Sequence, residues 1–101
     1  MAHDVQWSEE ARADIGIMPV FRRGPLFAAI DELRAQAEFA TRNRKPLAEP
    51  IEDLPDATWE IRVGDYRVFY RVIESRIVQV LRVILKGTST TAEAVARGRR
   101  R

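Results

Sequence analysis

The 101-residue sequence contains no cysteine and no long apolar run. Without cysteine, the chain can form neither a disulfide framework nor a thiolate metal site. The first 20 residues mix acids with bases and lack the apolar core of a secretory signal peptide, and no stretch reaches the length of a membrane span. These absences predict a cytoplasmic protein that does not associate with a membrane and that binds neither a metal nor a small-molecule cofactor. The length predicts a single domain.

Basic residues concentrate late in the sequence, although the formal net charge is only +2. Residues 61–87 contain two acids, Asp65 and Glu74, and the following six cations: Arg62, Arg67, Arg71, Arg76, Arg82 and Lys86. Four more arginines lie within the last five residues. This distribution predicts an anionic partner. A solvated, charged sheet face with a basic terminus is the alternative, and composition alone does not distinguish the two.

The first 40 residues predict a short strand, where Val5 and Trp7 alternate with a polar residue, followed by two helices. Ser8 precedes two acids and is typical of a helix N-cap, and the first helix should weaken at Gly16. Pro25 suits the first position of a second helix. That helix should extend to about residue 40, because its apolar residues recur at helical spacing: Leu26, Ile30, Leu33 and Ala37.

The remaining sequence predicts three consecutive strands and a last helix. Residues 41–58 contain three of the five prolines and predict a loop. The elements expected after it are strands over 59–63, 66–73 and 76–85 and, from a capping-box spacing at Thr90 and Glu93, a helix over 91–97. The order βααβββα indicates an α+β fold, a small antiparallel sheet with two N-terminal helices packed on one face. Residues 1–97 would form the domain, and 98–101 a basic, disordered tail.

The stretch WEIRVGDYRVFYRV, at 59–72, predicts a β-hairpin that carries several arginines. Gly64-Asp65 suits a two-residue turn in which the glycine adopts a positive φ. Such a turn places Arg62 directly opposite Arg67 on the neighbouring strand. Since side chains alternate between the faces of a sheet, these arginines lie on the face away from most of the apolar residues. We therefore expect the helices to cover the apolar face and the arginines to lie on the uncovered one.

A similar turn at Glu74-Ser75 would add Arg82 opposite Arg67 and complete a row of three arginines. Like charges directly opposite one another are destabilising by up to ~1 kcal/mol per pair. Glu60, diagonal to Arg67, can supply part of the counter-charge. The row is therefore either an internal salt-bridge network or an anion site for nucleic-acid phosphate, and a one-residue change of register would move Arg82 to the other face.

The hairpin, the strand RIVQVLRVILKG and the preceding TRNRKPL resemble the RelE/ParE superfamily of bacterial type II toxins over nearly the whole chain. The resemblance implies the fold described above and a cognate antitoxin as partner. RelE-type members cut mRNA in the ribosomal A site, whereas ParE-type members poison DNA gyrase. The first reading is therefore a ribosome-associated mRNA endoribonuclease. The alternatives are a gyrase inhibitor without catalysis of its own and a nontoxic binding module of the same fold.

The resemblance and the chemistry of RNA cleavage together indicate which residues form the site. In RNA cleavage a ribose 2′-hydroxyl attacks the adjacent phosphate, so the protein must remove one proton, stabilise charge on phosphorus and protonate the departing oxygen. The predicted catalytic residues are Arg67, Arg62, Lys86 and Glu60. The predicted nucleic-acid-binding residues are Arg71, Arg82, Arg44 and Lys45.

Several residues depart from the RelE pattern and favour the gyrase alternative. The chain has Thr58 and Glu60 where RelE carries lysines, and no aromatic residue follows Tyr70. The single histidine, His3, is interpreted as a solvated bystander. Glu60 or Glu52 could act as a general base, although a salt bridge is the preferred interpretation of Glu60.

Overall fold

A computed structural model describes residues 2–86, which form three helices and five strands. The strands are β1 (Asp4–Trp7), β2 (Arg44–Pro46), β3 (Trp59–Val63), β4 (Tyr66–Ile73) and β5 (Ile77–Leu85). The helices are α1 (Glu9–Gly16), α2 (Val20–Asp31) and α3 (Leu33–Gln36). The helix predicted over 91–97 and the tail at 98–101 lie outside the described residues. No helix within 2–86 combines the length and the apolar character that crossing a lipid bilayer requires.

The strands form one sheet in the order β1-β5-β4-β3-β2, and the helices lie mainly on one of its faces. This confirms the predicted α+β fold. The sheet is mixed, because β1 runs parallel to β5 while the other pairs are antiparallel. It also gains a short edge strand, β2, inside the segment predicted to be a loop.

The helical region differs from the prediction at both ends of the second helix: α2 begins before Pro25 and ends at Asp31, and a separate α3 follows where one helix to about residue 40 was predicted. Ser8 caps α1 as expected, its hydroxyl accepting the N–H of Ala11 at 3.0 Å. α2 begins at Val20, five residues before Pro25, so this proline lies inside the helix. Pro25 cannot donate a helical hydrogen bond to the carbonyl of Phe21. The apolar side of α2 is buried, and this burial offsets the missing hydrogen bond. The local sequence does not reveal that tertiary contribution.

The main core lies between the helices and one face of the sheet. Its fully or nearly buried members include Leu26, Ile30, Leu33, Ala37, Ile61, Val68, Tyr70, Val78, Val80 and Val83. Tyr70 is completely buried and its hydroxyl donates to the carbonyl of Ala37 at 2.6 Å. Burial raises the pKa of the Tyr70 hydroxyl. The core confirms that the helices pack on the apolar face of the hairpin.

A second core lies on the opposite face, which the sequence predicted to be uncovered. That prediction is wrong. Residues 47–57, here named the covering segment, place apolar side chains against this face. The second core consists of Ile51, Leu54, Ala57, Phe69, Leu81 and Ile84.

The register of β5 explains why the second face is partly apolar. The β4–β5 connection contains three residues, 74–76, instead of two, which moves the pairing by one position. A bulge at Leu81 moves it by one more. Because each one-residue change of register reverses the face of a side chain, the two changes together return Arg82 to the face on which it was expected. They place it opposite Phe69 instead of Arg67. The predicted row is therefore wrong at its third position, because Arg67 faces an isoleucine.

Candidate functional site

The β3–β4 hairpin brings the predicted catalytic residues to one end of the sheet. Gly64 in the turn has φ +59°, a conformation that L-residues rarely adopt. The turn sets Arg62 opposite Arg67, as predicted. Lys86 follows β5 directly, and its backbone N–H donates to the carbonyl of Asp65 in the turn at 2.9 Å.

Arg67 is occupied by groups of the same chain. Its Nη1 donates to the carbonyls of Gly64 at 3.1 Å and Tyr66 at 3.0 Å. Its Nε lies 3.4 Å from Oε1 of Glu60, on the adjacent strand. Only 9% of Arg67 and 6% of Glu60 are exposed, so both members of this ion pair are largely screened from solvent. The salt bridge preferred for Glu60 is therefore present in the structure.

Three further cations surround this buried pair. Arg62 is exposed, and its guanidinium makes no ion pair with any residue of 2–86. Lys45 lies opposite Glu60 on the edge strand β2 and is also exposed. Lys86 is half-buried. We name the set Lys45, Arg62, Arg67 and Lys86 the cationic end of the sheet.

Arg82 lies away from this cluster, at the edge of β5, and is buried. Its Nε and Nη2 donate to the two carboxylate oxygens of Asp14 in α1, at 2.7 and 2.9 Å. Asp14 also accepts the backbone N–H of Val83 at 2.8 Å. Hydrogen bonding with Asp14 raises the pKa of Arg82, despite the opposing effect of burial. This arrangement fastens α1 to the edge of β5 where β1 has ended.

Two other predicted nucleic-acid-binding residues also have partners inside the chain. Arg44 is buried, and its Nη1 donates to the carbonyls of Gln36 at 3.0 Å and Phe39 at 3.2 Å, just beyond α3. Carbonyls at the end of a helix lack the usual intrahelical donors, so Arg44, together with the Phe39 N–H that donates to Gln36 at 3.1 Å, caps the C-terminus of α3. Arg71 is half-buried and donates to Oε1 of Gln79 at 2.7 Å. Of this predicted set, only Lys45 lies in the cationic end.

The chemistry available at the cationic end is mainly the binding of anions. Arg62 and Lys45 present charge to solvent, whereas Glu60, one predicted general base, is buried and paired with Arg67. Glu52, the other, lies on the covering segment. Among residues 2–86, no three histidine or acidic side chains converge as metal ligands would.

Two functional features of the structure were not found by sequence reasoning. One is Asp14 as the partner of Arg82, since the two are 68 positions apart in the chain and nothing local links them. The other is the covering segment. Its apolar residues, Ile51, Leu54 and Ala57, recur at every third position around Pro55, a signal that was present but hidden in a segment of loop-like composition.

Comparison with known proteins adds a family and a set of similar folds. The family model described as the ParE toxin of the type II toxin–antitoxin system parDE matches residues 5–87. No protein of curated function gives a significant sequence match. The toxin–antitoxin complex RelBE2 of Mycobacterium tuberculosis contains a chain with 27% identity and a TM-score of 0.58, over 82% of this chain and 96% of that one.

Two further structures share the fold at lower identity. The archaeal RelE–RelB complex from Pyrococcus horikoshii OT3 matches with 18% identity and a TM-score of 0.69, over 88% of this chain and 100% of that one. The Escherichia coli toxin RelE, a mutant in complex with an antitoxin peptide, matches with 22% identity and a TM-score of 0.54, over 96% and 94% of the two chains.

Proposed function

Because the chain belongs to the ParE toxin family of type II toxin–antitoxin systems, we propose that it acts by binding DNA gyrase and not by cutting RNA. In this function the toxin stabilises the state in which gyrase holds a DNA duplex with both strands broken. The toxin then needs complementary surfaces but no general acid or base of its own. The single observation that carries the proposal is the burial of the Glu60–Arg67 pair at the cationic end.

The state of Glu60 argues against catalysis by this pair. A general base must approach within hydrogen-bonding distance of the proton that it removes. Glu60 is 6% exposed and its carboxylate lies beside the Arg67 guanidinium, so a ribose hydroxyl could reach it only if the ion pair and the groups that bury it moved aside. Breaking a buried ion pair by removing one partner costs about 3–5 kcal/mol. A role of the pair in holding the hairpin requires no such rearrangement.

A cognate antitoxin is the second partner that the function requires, because a type II toxin is held inactive by a protein. The similar structures from Mycobacterium tuberculosis and Pyrococcus horikoshii are themselves toxin–antitoxin complexes. Exposed cations such as Arg62 and Lys45 would favour an antitoxin segment that carries carboxylates. Such a segment would also neutralise the like-charge pair of Arg62 and Arg67.

The proposal is tested with purified gyrase and supercoiled plasmid. Addition of the toxin, followed by detergent and protease, should convert plasmid to the linear form, because trapped cleavage complexes release broken DNA. Reactions without gyrase are the control and should leave the plasmid supercoiled. Toeprinting on translated mRNA in parallel should show no new ends. Cleaved mRNA together with intact plasmid would overturn the proposal.

An mRNA endoribonuclease is the second candidate, favoured by the convergence of Arg62, Arg67 and Lys86 at one end of a RelE-like sheet. In that function, Arg67→Ala should lower the rate of mRNA cleavage ~100-fold or more, since it would remove stabilisation of charge on phosphorus. Arg62→Ala tests the same role without disturbing the Glu60–Arg67 pair. Arg76→Ala, in the exposed 74–76 turn, is the matched control.

A further inference from the structure

The start of α2 exposes large apolar side chains that no contact within the described residues explains. Ile17, Val20 and Phe21 are 67%, 74% and 77% exposed. Ile17 is the C-cap of α1, and Val20 and Phe21 are the first two residues of α2, so all three lie within five residues at the α1–α2 junction. We name them the α2 patch. Contiguous exposed apolar surface on a small protein marks an interaction site more often than single exposed residues do.

The backbone around the α2 patch is open to a partner. Gly24 follows Phe21 by three positions, is exposed, and has no atom within 4 Å of the place where a Cβ would stand. Pro25 has no N–H, which leaves the carbonyl of Phe21 without its usual intrahelical donor. The apolar residues that hold α2 to the sheet, Leu26 and Ile30, lie on its buried side. The patch is therefore not needed for the core.

Every charge within residues 15–30, the segment that carries the α2 patch, is positive. Arg22 lies over the ring of Phe21, 5.4 Å from its centroid. Arg23 is held in place by donation from Nη2 to the carbonyl of Met18 at 3.1 Å. Residues 15–30 contain no acid. A second copy of the chain on this surface would bring four arginines together, whereas a partner with carboxylates would pair with them.

The α2 patch is continuous with the hairpin end of the sheet. Nη1 of Arg22 lies 4.0 Å from the position of a Cβ on Gly64, the turn residue between β3 and β4. The same turn borders the cationic end. One end of the molecule therefore carries, in succession, the α2 patch, Arg22 and the exposed cations of the cationic end.

We propose that the α2 patch docks on the toxin's protein target, on a surface that presents apolar side chains flanked by carboxylates. The inference rests on the function proposed above, so the target is DNA gyrase. Phe21 is the central anchor, because it combines the largest exposed apolar side chain of the patch with a cation stacked on it. Aromatic residues, phenylalanine included, are enriched in the cores of protein interfaces, where a few anchors dominate the binding free energy.

The test replaces the anchors without touching the core. Val20→Ser/Phe21→Ser should raise ~30-fold the toxin concentration that gives half-maximal linear plasmid with purified gyrase, as expected for the loss of an interface hot spot. Phe39→Ser is the matched control, because Phe39 is 66% exposed but follows α3 and is not part of the patch. It should change that concentration less than about threefold, within the range of neutral interface contacts. Far-UV circular dichroism and thermal melting establish that both variants are folded.

A second variant tests the charge of the proposed partner. Arg22→Glu should weaken trapping at least as strongly as loss of the apolar anchors, because it places a carboxylate against carboxylates. Arg76→Glu makes the same charge change in the exposed 74–76 turn and should have little effect.

The outcomes separate the two proposals. If the wild-type toxin traps cleavage complexes and both patch variants do so at the same concentration, the docking inference is wrong and the proposed function stands. Absence of trapping by the wild-type protein would overturn the proposed function and, with it, gyrase as the occupant of the patch. A wild-type dimer that Val20→Ser/Phe21→Ser converts to a monomer, seen by light scattering, would assign the patch to a second copy and overturn the inference.

Discussion

Arg82 and Asp14 neutralise each other inside the molecule. Each buried charge would lose several kcal/mol of hydration free energy on its own. The two hydrogen bonds between them, and a third from the Val83 N–H to the same carboxylate, compensate much of that loss. The pair therefore links α1 to β5 only as long as both members are present.

Asp14→Asn should lower the free energy of unfolding by about 3 kcal/mol, because it removes the carboxylate that holds the buried Arg82 guanidinium through two hydrogen bonds and leaves only Glu10, 3.8 Å from Nη1, as its counter-charge. Urea unfolding followed by circular dichroism measures this loss. Asp31→Asn is the control. Asp31 also pairs with an arginine, Arg34, at 2.9 Å, but both side chains are exposed, so its loss should cost less than ~1 kcal/mol. Equal effects of the two variants would contradict a structural role for Arg82.

Arg67 and Arg82 differ in how much the sequence reveals about their partners. The partner of Arg67 was predictable, because Glu60 lies on the adjacent strand and one glycine turn sets the register between them. The partner of Arg82 was not, because Asp14 comes from a helix that approaches only when the whole domain is folded. An arginine in a strand thus predicts a charged face, but its availability to a ligand depends on tertiary contacts.

The two hairpins of the sheet differ in how strongly their turns are encoded. Gly64 supplies the positive φ that the β3–β4 turn needs, so its register was predicted correctly. In the β4–β5 connection, Glu74 and Ser75 adopt φ 54° and 58° although neither is glycine. Nothing in their identity indicates this conformation or the three-residue connection. The faces of β5 were consequently misassigned up to the bulge at Leu81.

Gly64→Ala should destabilise the protein by ~1–2 kcal/mol, because an alanine is strained at φ +59°. Equilibrium urea unfolding gives the change in free energy. Gly16→Ala is the matched control, since Gly16 ends α1, has no positive φ and has nothing within 4 Å of an added Cβ. It should be neutral or stabilise by up to ~1 kcal/mol. A similar loss in both variants would mean that the turn does not depend on glycine.

The whole molecule is a sheet with an apolar core on each face, one formed with the helices and one with the covering segment. The segment has little regular structure, and its prolines identify it as a loop. Its apolar residues nevertheless complete the fold by burying Phe69 and Ile84. This second core also restricts which part of that face is available to a partner, because it covers Phe69, Leu81 and Ile84 while Lys45 and Arg62 of the cationic end stay exposed.

Leu54→Ala tests whether the two cores form one cooperative unit. Leu54 is 8% exposed, and truncation of such a leucine costs about 2–5 kcal/mol. Both tryptophans, Trp7 and Trp59, pack on the opposite core and therefore report on the far side of the sheet. If the covering segment is an integral part of the domain, tryptophan fluorescence and circular dichroism should move together to lower urea concentration.

The control is Leu85→Ala, because Leu85 is half exposed at the end of β5 and should shift the urea midpoint only slightly. A tryptophan transition that stays at the wild-type midpoint in Leu54→Ala would mean that the covering segment opens independently of the sheet. In that case the face of the sheet on which Glu60 lies opposite Phe69 could open without global unfolding, and the endoribonuclease candidate would gain support. Coincident transitions would instead indicate that the Glu60–Arg67 pair stays buried until the whole domain unfolds. That result is the one expected of a toxin that acts by binding alone.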